Sequence, residues 1–310
     1  MKKTIVTTTI NPPSKAIKLF CERKDWNVVI VGDLITPHEL FRKLEKKYKN
    51  TIYLSPEDQD KKYPKLSKTI GWRKIQRRNI GYVEAYRLGA EIIATIDDDN
   101  IPYENWGKNL SIGKTIAVNY FKTKLLVFDP VGATNHDNLW HRGYPLQLIS
   151  KRDYSKKTKK NILPDIQADF WNGNPDIDAI CRMEHAPECK FNTKYFPIAS
   201  NKISPFNSQN TFLSRKVIKD YFLFPFVGRM DDIWASFYVQ AKGCKVVYEK
   251  ASVYQQRNVH DLNKDMKAEY LGYEKNLEIV RELYKSPDSI LKFLPSSSIK
   301  AFEVYKKHFK

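Results

Sequence analysis

Three carboxylates in a row, Asp97-Asp98-Asp99, end the apolar run Ile92-Ile93-Ala94-Thr95-Ile96 and are followed by Asn100 and Pro102. An apolar stretch of this length reads as a buried parallel strand with acids at its carboxyl end. Strand alternation places Asp97 and Asp99 on one face and Asp98 on the other. Adjacent carboxylates repel, and a cation held between them relieves the repulsion. Hard oxygen ligands at the carboxyl edge of an open α/β sheet suit Mg²⁺ or Mn²⁺ bridging to a phosphate. The competing reading of the triplet is a solvated acidic turn that caps the next element.

The elements that must hold this triplet alternate regularly in the front half. A strand over 4–10 is broken by Asn11-Pro12-Pro13, and Ser14 can cap a helix reaching Cys21. A strand over 27–31 ends at Gly32-Asp33, a helix follows over 37–48, and a third strand covers 51–54. A polar loop is expected over 55–68, then a helix over 74–88 stopped by Gly89. This β-α-β-α-β-α-β order predicts a parallel sheet with helices on both faces. The back half is less regular, with strands expected near 117–120, 125–128 and 245–254 and a basic surface loop over 151–160. Two amphipathic helices close the chain from Asn263, separated by Pro295. The second, over 298–309, is basic; packing on the core is favoured for it over contact with an anionic membrane surface.

Bulk properties narrow the class. With 53 Lys and Arg against 35 Asp and Glu over 310 residues, the net charge of +18 favours an anionic partner or reflects a Lys-rich bias. Cys21, Cys181, Cys189 and Cys244 have no paired or finger-like spacing, which suits reduced thiols in a cytoplasmic setting. The first residues enter a strand with no signal-peptide core, and no apolar run reaches membrane-spanning length. The expected protein is therefore soluble, at most peripheral to a membrane. Gly107 to Thr115 imitates a phosphate-binding loop, but its glycines are five residues apart and no apolar strand leads into it. Dinucleotide, metalloprotease and serine-hydrolase signatures are missing.

Several further segments fall in a familiar order around the triplet: Thr7 to Pro12, Val29 to Asp33, Tyr53 to Gln59 and Arg78 to Tyr82 before it. After it come Arg142 to Leu146, Asn174 to Ile180, Ser204 to Gln209, Gly228 to Trp234 and Gln256 to Leu262. In these segments the chain resembles the glycosyltransferase-like domain of STELLO proteins and their microbial relatives, over roughly residues 4–273. The resemblance implies an α/β protein of GT-A fold: a Rossmann-like mixed sheet flanked by helices, here with a C-terminal helical extension. It divides the chain into a transferase domain over 1–262, with a nucleotide half (1–105) and an acceptor half (106–262), and the extension over 263–310. The membrane anchor and extra domain of plant members are not expected here, so their cellular role is not carried over.

The resemblance also assigns roles. Asp99 would hold a divalent metal, Mn²⁺ or Mg²⁺, with Asp97 or Asp98 assisting through metal or ribose, and His260 would supply a third ligand. Arg257 would contact a phosphate. From the residues themselves, Thr8, Thr9 and Asp33 close strands where base and ribose contacts are expected, with a plain turn as the competing use of Asp33. Basic groups of the helix opening Arg73 to Asn79 would face the diphosphate, Arg78 and Asn79 preferred because they belong to the shared motif, with a solvated charged face as the alternative. Asp232 would be the catalytic base of an inverting reaction, with helix capping as its competing use. Asp231, Arg142, Asn207 and Gln209, with Trp140 and Trp171, would line the sugar and acceptor cleft. The resulting expectation is a glycosyltransferase moving a sugar from a nucleotide-sugar donor, UDP-sugar favoured, to a glycan or other hydroxyl acceptor, with no nucleic-acid partner. The alternatives are a catalytically inactive nucleotide- or sugar-binding scaffold and a nucleotide-sugar mutase.

Overall fold

The computed structural model describes residues 1–256 and 261–309. Its strands are β1 (Lys3–Thr9), β2 (Asn27–Gly32), β3 (Thr51–Leu54), β4 (Ile92–Ile96), β5 (Asn100–Pro102), β6 (Ile116–Phe121), β7 (Lys157–Ile162), β8 (Ile166–Gly173), β9 (Ile198–Ser200), β10 (Asn210–Ser214) and β11 (Val246–Gln255). The helices are α1 (Lys15–Cys21), α2 (His38–Lys47), α3 (Pro56–Lys62), α4 (Pro64–Ile70), α5 (Arg78–Arg87), α6 (Ala179–His185), α7 (Arg215–Ile218), α8 (Asp231–Ala241), α9 (Leu262–Leu283) and α10 (Ser296–Lys306). The strands form one sheet in the order β3-β2-β1-β4-β10-β8-β11-β9-β6-β7, with β5 paired to β11.

The first four strands run parallel, and their β-branched residues are buried on both faces. Chain order moves outward from β1 through β2 to β3 and then returns to β4 on the other side of β1. A crevice therefore opens between β1 and β4 at the carboxyl edge, where the order reverses. From β10 onward, parallel and antiparallel pairs mix, which is the Rossmann-like mixed sheet expected of a GT-A fold. Helix α5 lies close on β1 and β2 because Gly81 has no side chain; a Cβ there would sit 2.5 Å from Val6 Cγ1 and 2.9 Å from Val31 Cγ2.

Several expectations need correction. The stretch 55–68 is not a loop but α3 and α4: Ser55 and Asp58 form a capping box, and Pro56 and Pro64 each open a helix. The basic stretch at 151–160 contributes four of the six residues of the edge strand β7, paired antiparallel to β6. Residues 125–128 form no strand, only an isolated bridge from Val127 to Ile203. The helix expected from residue 74 begins with a 3₁₀ turn, Ile75–Arg77, before α5.

The C-terminal helices are built into the main core. Ile279, Val280 and Leu283 of α9 and Ala301, Phe302 and Tyr305 of α10 are buried in the same apolar cluster as β1, β4 and α5. Asn276 of α9 accepts from Trp234 Nε1 at 2.8 Å and donates to the Gly143 carbonyl at 2.9 Å. Helix α10 thus packs inward, as its favoured reading held. Among the described residues, no helix is long and apolar enough to cross a membrane.

Candidate active site

The acidic triplet leaves β4 as a turn and faces two adjoining cavities. The larger, about 550 Å³, lies at the ends of β1 and β2 and is lined by Thr8, Thr9, Asn11, Asp33, Arg73, Lys74 and Asp98 among others. The smaller, about 220 Å³, is lined by Asp97, Asp99, Asp176, Asp231, Asp232, Arg142, Arg229 and Gln209 among others. Ile75 borders both. The alternation read from sequence is realised in space: Asp97 and Asp99 share one cavity, and Asp98 turns to the other.

Each acid is held differently. Asp98 Oδ2 accepts from Thr9 Oγ1 and from Asn11 Nδ2, and its carbonyl accepts from Ser14 Oγ at 2.5 Å, which ties the triplet to β1 and the start of α1. Asp97 Oδ1 accepts from Arg78 Nη2 at 2.6 Å. Burial raises the Asp97 carboxyl above its ordinary range, opposed by Arg78 and reinforced by Asp98 and Asp232. Arg78 itself is fully buried, bonded also to the Ser208 carbonyl at 2.9 Å, and stays charged because Asp97 outweighs its desolvation. Carboxylate oxygens of Asp97 and Asp99 on a common cavity are the donor type that Mg²⁺ and Mn²⁺ prefer. Among the described residues, no group of three or more metal-ligating side chains gathers. The expected third ligand, His260, and the expected phosphate contact, Arg257, lie outside the described residues.

The positive side chains at the larger cavity are not the expected ones. Asn79 is fully buried; its amide accepts from Leu223 N and donates to Leu223 O, both at 2.9 Å, so it splices two chain segments and cannot meet a diphosphate. Arg78 serves Asp97 from beneath. Arg73 and Lys74 line the cavity instead. Asp33 positions them: its carboxylate accepts from Arg73 N and Lys74 N, each at 3.0 Å, and from Leu34 N. Arg73 holds a left-handed φ of 58° within this clamp, a conformation that surrounding structure must enforce. Asp33 is thus committed to backbone donors rather than presented outward. Thr8 Oγ1 donates to the Val31 carbonyl at 2.7 Å while the residue borders the cavity.

Around the smaller cavity, Arg142 forks between two acids. Its Nε lies 3.0 Å from Asp176 Oδ1, and its two terminal nitrogens lie 3.1 and 3.0 Å from the two oxygens of Asp232. Asp232 Oδ2 also accepts from Ser208 N at 2.9 Å. With a bidentate arginine and a backbone donor, Asp232 is occupied as a structural anion, which corrects its expected role as base. Its neighbour differs. Asp231 Oδ2 accepts from Gln76 Nε2 at 2.7 Å, and the Asp232 backbone also donates to the Asp231 carboxylate. Burial, then the charge of Asp232, pushes its carboxyl up to about 7. Arg142 is likewise a bridge rather than an open acceptor contact. Asn207 donates to Asp176 Oδ2 at 2.9 Å beneath the cavity, whereas Gln209 lines it. Trp140 and Trp171 are buried in the core.

The Arg229 side of the smaller cavity depends on α9. Glu269 Oε1 accepts from Arg229 Nε at 2.9 Å, and Oε2 accepts from Ala179 N at 2.8 Å and Tyr273 OH at 2.7 Å. Gly228, with φ 62°, lies so close that a Cβ would sit 2.1 Å from the Ala268 carbonyl oxygen.

Comparison with known proteins agrees in part with the motif reading. The chain is 22% identical over 191 residues to Probable glycosyltransferase STELLO2 of Arabidopsis thaliana, covering 58% of this chain. A match of the same identity joins it to Probable glycosyltransferase STELLO1 of that plant. Over that stretch the chain is similar in sequence to these two proteins. The aligned stretch is shorter than the 4–273 span of the shared motifs, and the chain spans only 24% of the length of these curated relatives. No protein-family profile matches the chain. Among solved structures, glucosyl-3-phosphoglycerate synthase from Mycobacterium tuberculosis overlays with a TM-score of 0.47 at 9% identity, covering 90% of this chain and 80% of that one. The mannosyltransferase PcManGT from Pyrobaculum calidifontis gives 0.44 at 10%, covering 98% and 73%.

Motif reading assigned no role to Asp176 or Arg229, and among the basic residues of the Arg73–Asn79 helix opening it preferred Arg78 and Asn79 over Arg73 and Lys74. Asp176 stood inside a shared segment, Asn174-Pro175-Asp176, and was legible there. Arg73 and Lys74 stood in the same basic helix opening, and the Asp33 clamp is what turns them, rather than Arg78 and Asn79, to the cavity.

Proposed function

We propose that the chain is a metal-dependent glycosyltransferase that takes a nucleoside-diphosphate sugar as donor and a hydroxyl group as acceptor. The observation that carries this reading is the acidic triplet as a partition between two cavities. One sits at the topological switch point with two cationic side chains, and the other holds a carboxyl group poised near neutrality. The class to which the two STELLO relatives are assigned by name supports the same reading.

In this mechanism the nucleotide occupies the larger cavity, with its diphosphate toward Arg73, Lys74 and the triplet. Asp97 and Asp99 would hold the cation, Mn²⁺ or Mg²⁺, which when bound neutralises charge growing on the leaving diphosphate. Arg78, locked under Asp97, fixes that carboxylate in place. The sugar crosses toward the smaller cavity, where Asp231 takes the proton of the acceptor hydroxyl. Asp232, Arg142 and Asp176 form the rigid frame that presents Asp231. A UDP-sugar is the first donor to try.

The test is a thermal-shift screen of UDP, GDP, CDP and their sugars with and without Mn²⁺, followed by donor turnover. Expected is nucleotide-dependent stabilisation that needs a divalent ion and disappears in Asp99→Ala. Absence of stabilisation with every nucleotide and ion would refute the reading. One observation favours the scaffold alternative: Arg78 already compensates Asp97 without a cation. A scaffold would bind nucleotide without Mn²⁺ dependence and without turnover.

A further inference from the structure

Exposed apolar side chains are not scattered evenly over the protein. Ile10, Leu34, Ile35, Leu40, Ile75 and Phe226 are all among the large hydrophobics open to solvent, with Ile35 59% and Ile10 51% exposed. Ile10 follows β1, Leu34 and Ile35 follow β2, and Leu40 stands in the first turn of α2. Ile75 belongs to the 3₁₀ turn beside Arg73 and Lys74, and the Lys74 ammonium lies 4.2 Å from the Phe226 ring centre. These positions share the carboxyl edge of the parallel strands, around the mouth of the larger cavity. Isolated exposed hydrophobics are ordinary, whereas a cluster on adjoining loop tips marks an interaction surface.

Cations surround these tips. Lys15 and Lys18 lie on α1, Lys43 and Lys47 on α2, and Arg73 and Lys74 on the clamped loop. Lys18, Lys43 and Lys47 line a groove of about 340 Å³ with Pro12, Pro13, Leu40, Leu44 and Tyr48. Glu39 is the exposed acid in that part of α2. Apolar tips backed by a belt of lysines are the pattern that lets a folded surface enter the headgroup region of a bilayer. The tips gain burial among acyl chains while the lysines meet anionic headgroups.

We infer that this edge is a docking face for an anionic lipid bilayer, which places the mouth of the cleft at the membrane surface. The face differs from the basic C-terminal helix α10, whose apolar side is used within the core. It stands on the loop tips and lysines alone and holds whether or not the chain transfers sugar. Leu34 and Leu40 do not line the larger cavity, so they separate docking from nucleotide binding.

The test uses the full chain with vesicles of phosphatidylcholine, alone or mixed with phosphatidylglycerol, read by co-sedimentation. Expected is partitioning onto the mixed vesicles that falls with salt and drops about tenfold in the Leu34→Ser, Leu40→Ser double variant. Nucleotide-dependent thermal stabilisation of that variant should match the parent. A second variant, Lys15→Glu with Lys43→Glu, should lose binding with the apolar tips intact. Three results would overturn the inference. They are no partitioning on anionic vesicles, a serine variant that partitions like the parent through bulk charge alone, and a serine variant whose nucleotide response is also lost. The last would assign the tips to the donor cleft.

Discussion

Replacing Asp231 by Asn keeps its size and removes its charge, and two independent quantities should then move. As base for the acceptor hydroxyl, Asp231 contributes on the order of 10²- to 10⁴-fold in turnover, about 3 to 5 kcal/mol of barrier. Because its carboxyl is pushed up to about 7, parent activity should climb as pH rises through neutrality and then level off. Stability responds in the opposite sense. An acid whose pKa is raised on folding binds its proton more tightly folded than unfolded, so the stability from that proton is complete below about pH 4 and lost as pH rises through about 7. From the ordinary 3.8 to about 7 is roughly three units, or up to about 4 kcal/mol. Asp231→Asn should therefore be nearly inactive yet lose less stability than the parent between pH 5 and pH 8, measured by urea unfolding beside a pH–rate profile. A variant that turns over within tenfold of the parent would sink the assignment. So would an unchanged pH slope of stability, since the carboxyl would then not be held protonated by burial.

Asp232→Ala should behave in the contrary way, losing about 3 to 5 kcal/mol at neutral pH because Arg142 is left buried with half its partners gone; chemical denaturation reads this directly. Asn79→Ala strips both partners from Leu223 and should cost about 2 kcal/mol or more. Calorimetric nucleotide affinity of that variant should stay at the parent value, which a diphosphate ligand could not do. Gly81→Ala forces a methyl against Val6 and Val31, and a loss of about 1 to 3 kcal/mol in thermal unfolding is expected.

The nucleotide half was legible because its physics is local. The run Ile92 to Ile96, the cap at Ser14 and the stop at Gly89 each carry their own signal, and the observed elements follow them within a residue or two. The acceptor half was not. Strand β8 carries Gln167, Asp169 and Asn172, and β10 begins with Asn210, so neither shows a continuous apolar run. Those polar groups are buried because they satisfy one another: Gln167 Nε2 lies 2.7 Å from Asp169 Oδ1, and Asn210 Oδ1 takes the Trp106 indole at 2.9 Å. The first pairing is within one strand and breaks its apolar run, while the second joins residues 104 apart, and neither leaves a periodic trace. The site divides in the same manner. Acids on a strand end could be read, but choosing between Asp231 and Asp232 required knowing where the fork of Arg142 points.

Glu269 has a consequence for how the protein comes into being. It is the residue that joins Arg229 to the start of α6, and it lies in a helix made after nearly all of the sheet. On a ribosome the four parallel strands can collapse early, since they pair with one another within the first hundred residues. The wall that carries Arg229 must wait for α9 to arrive and brace it from behind. A chain interrupted before that helix would lose α10 as well, which packs on α4, and would be expected to leave both cavities without their full backing.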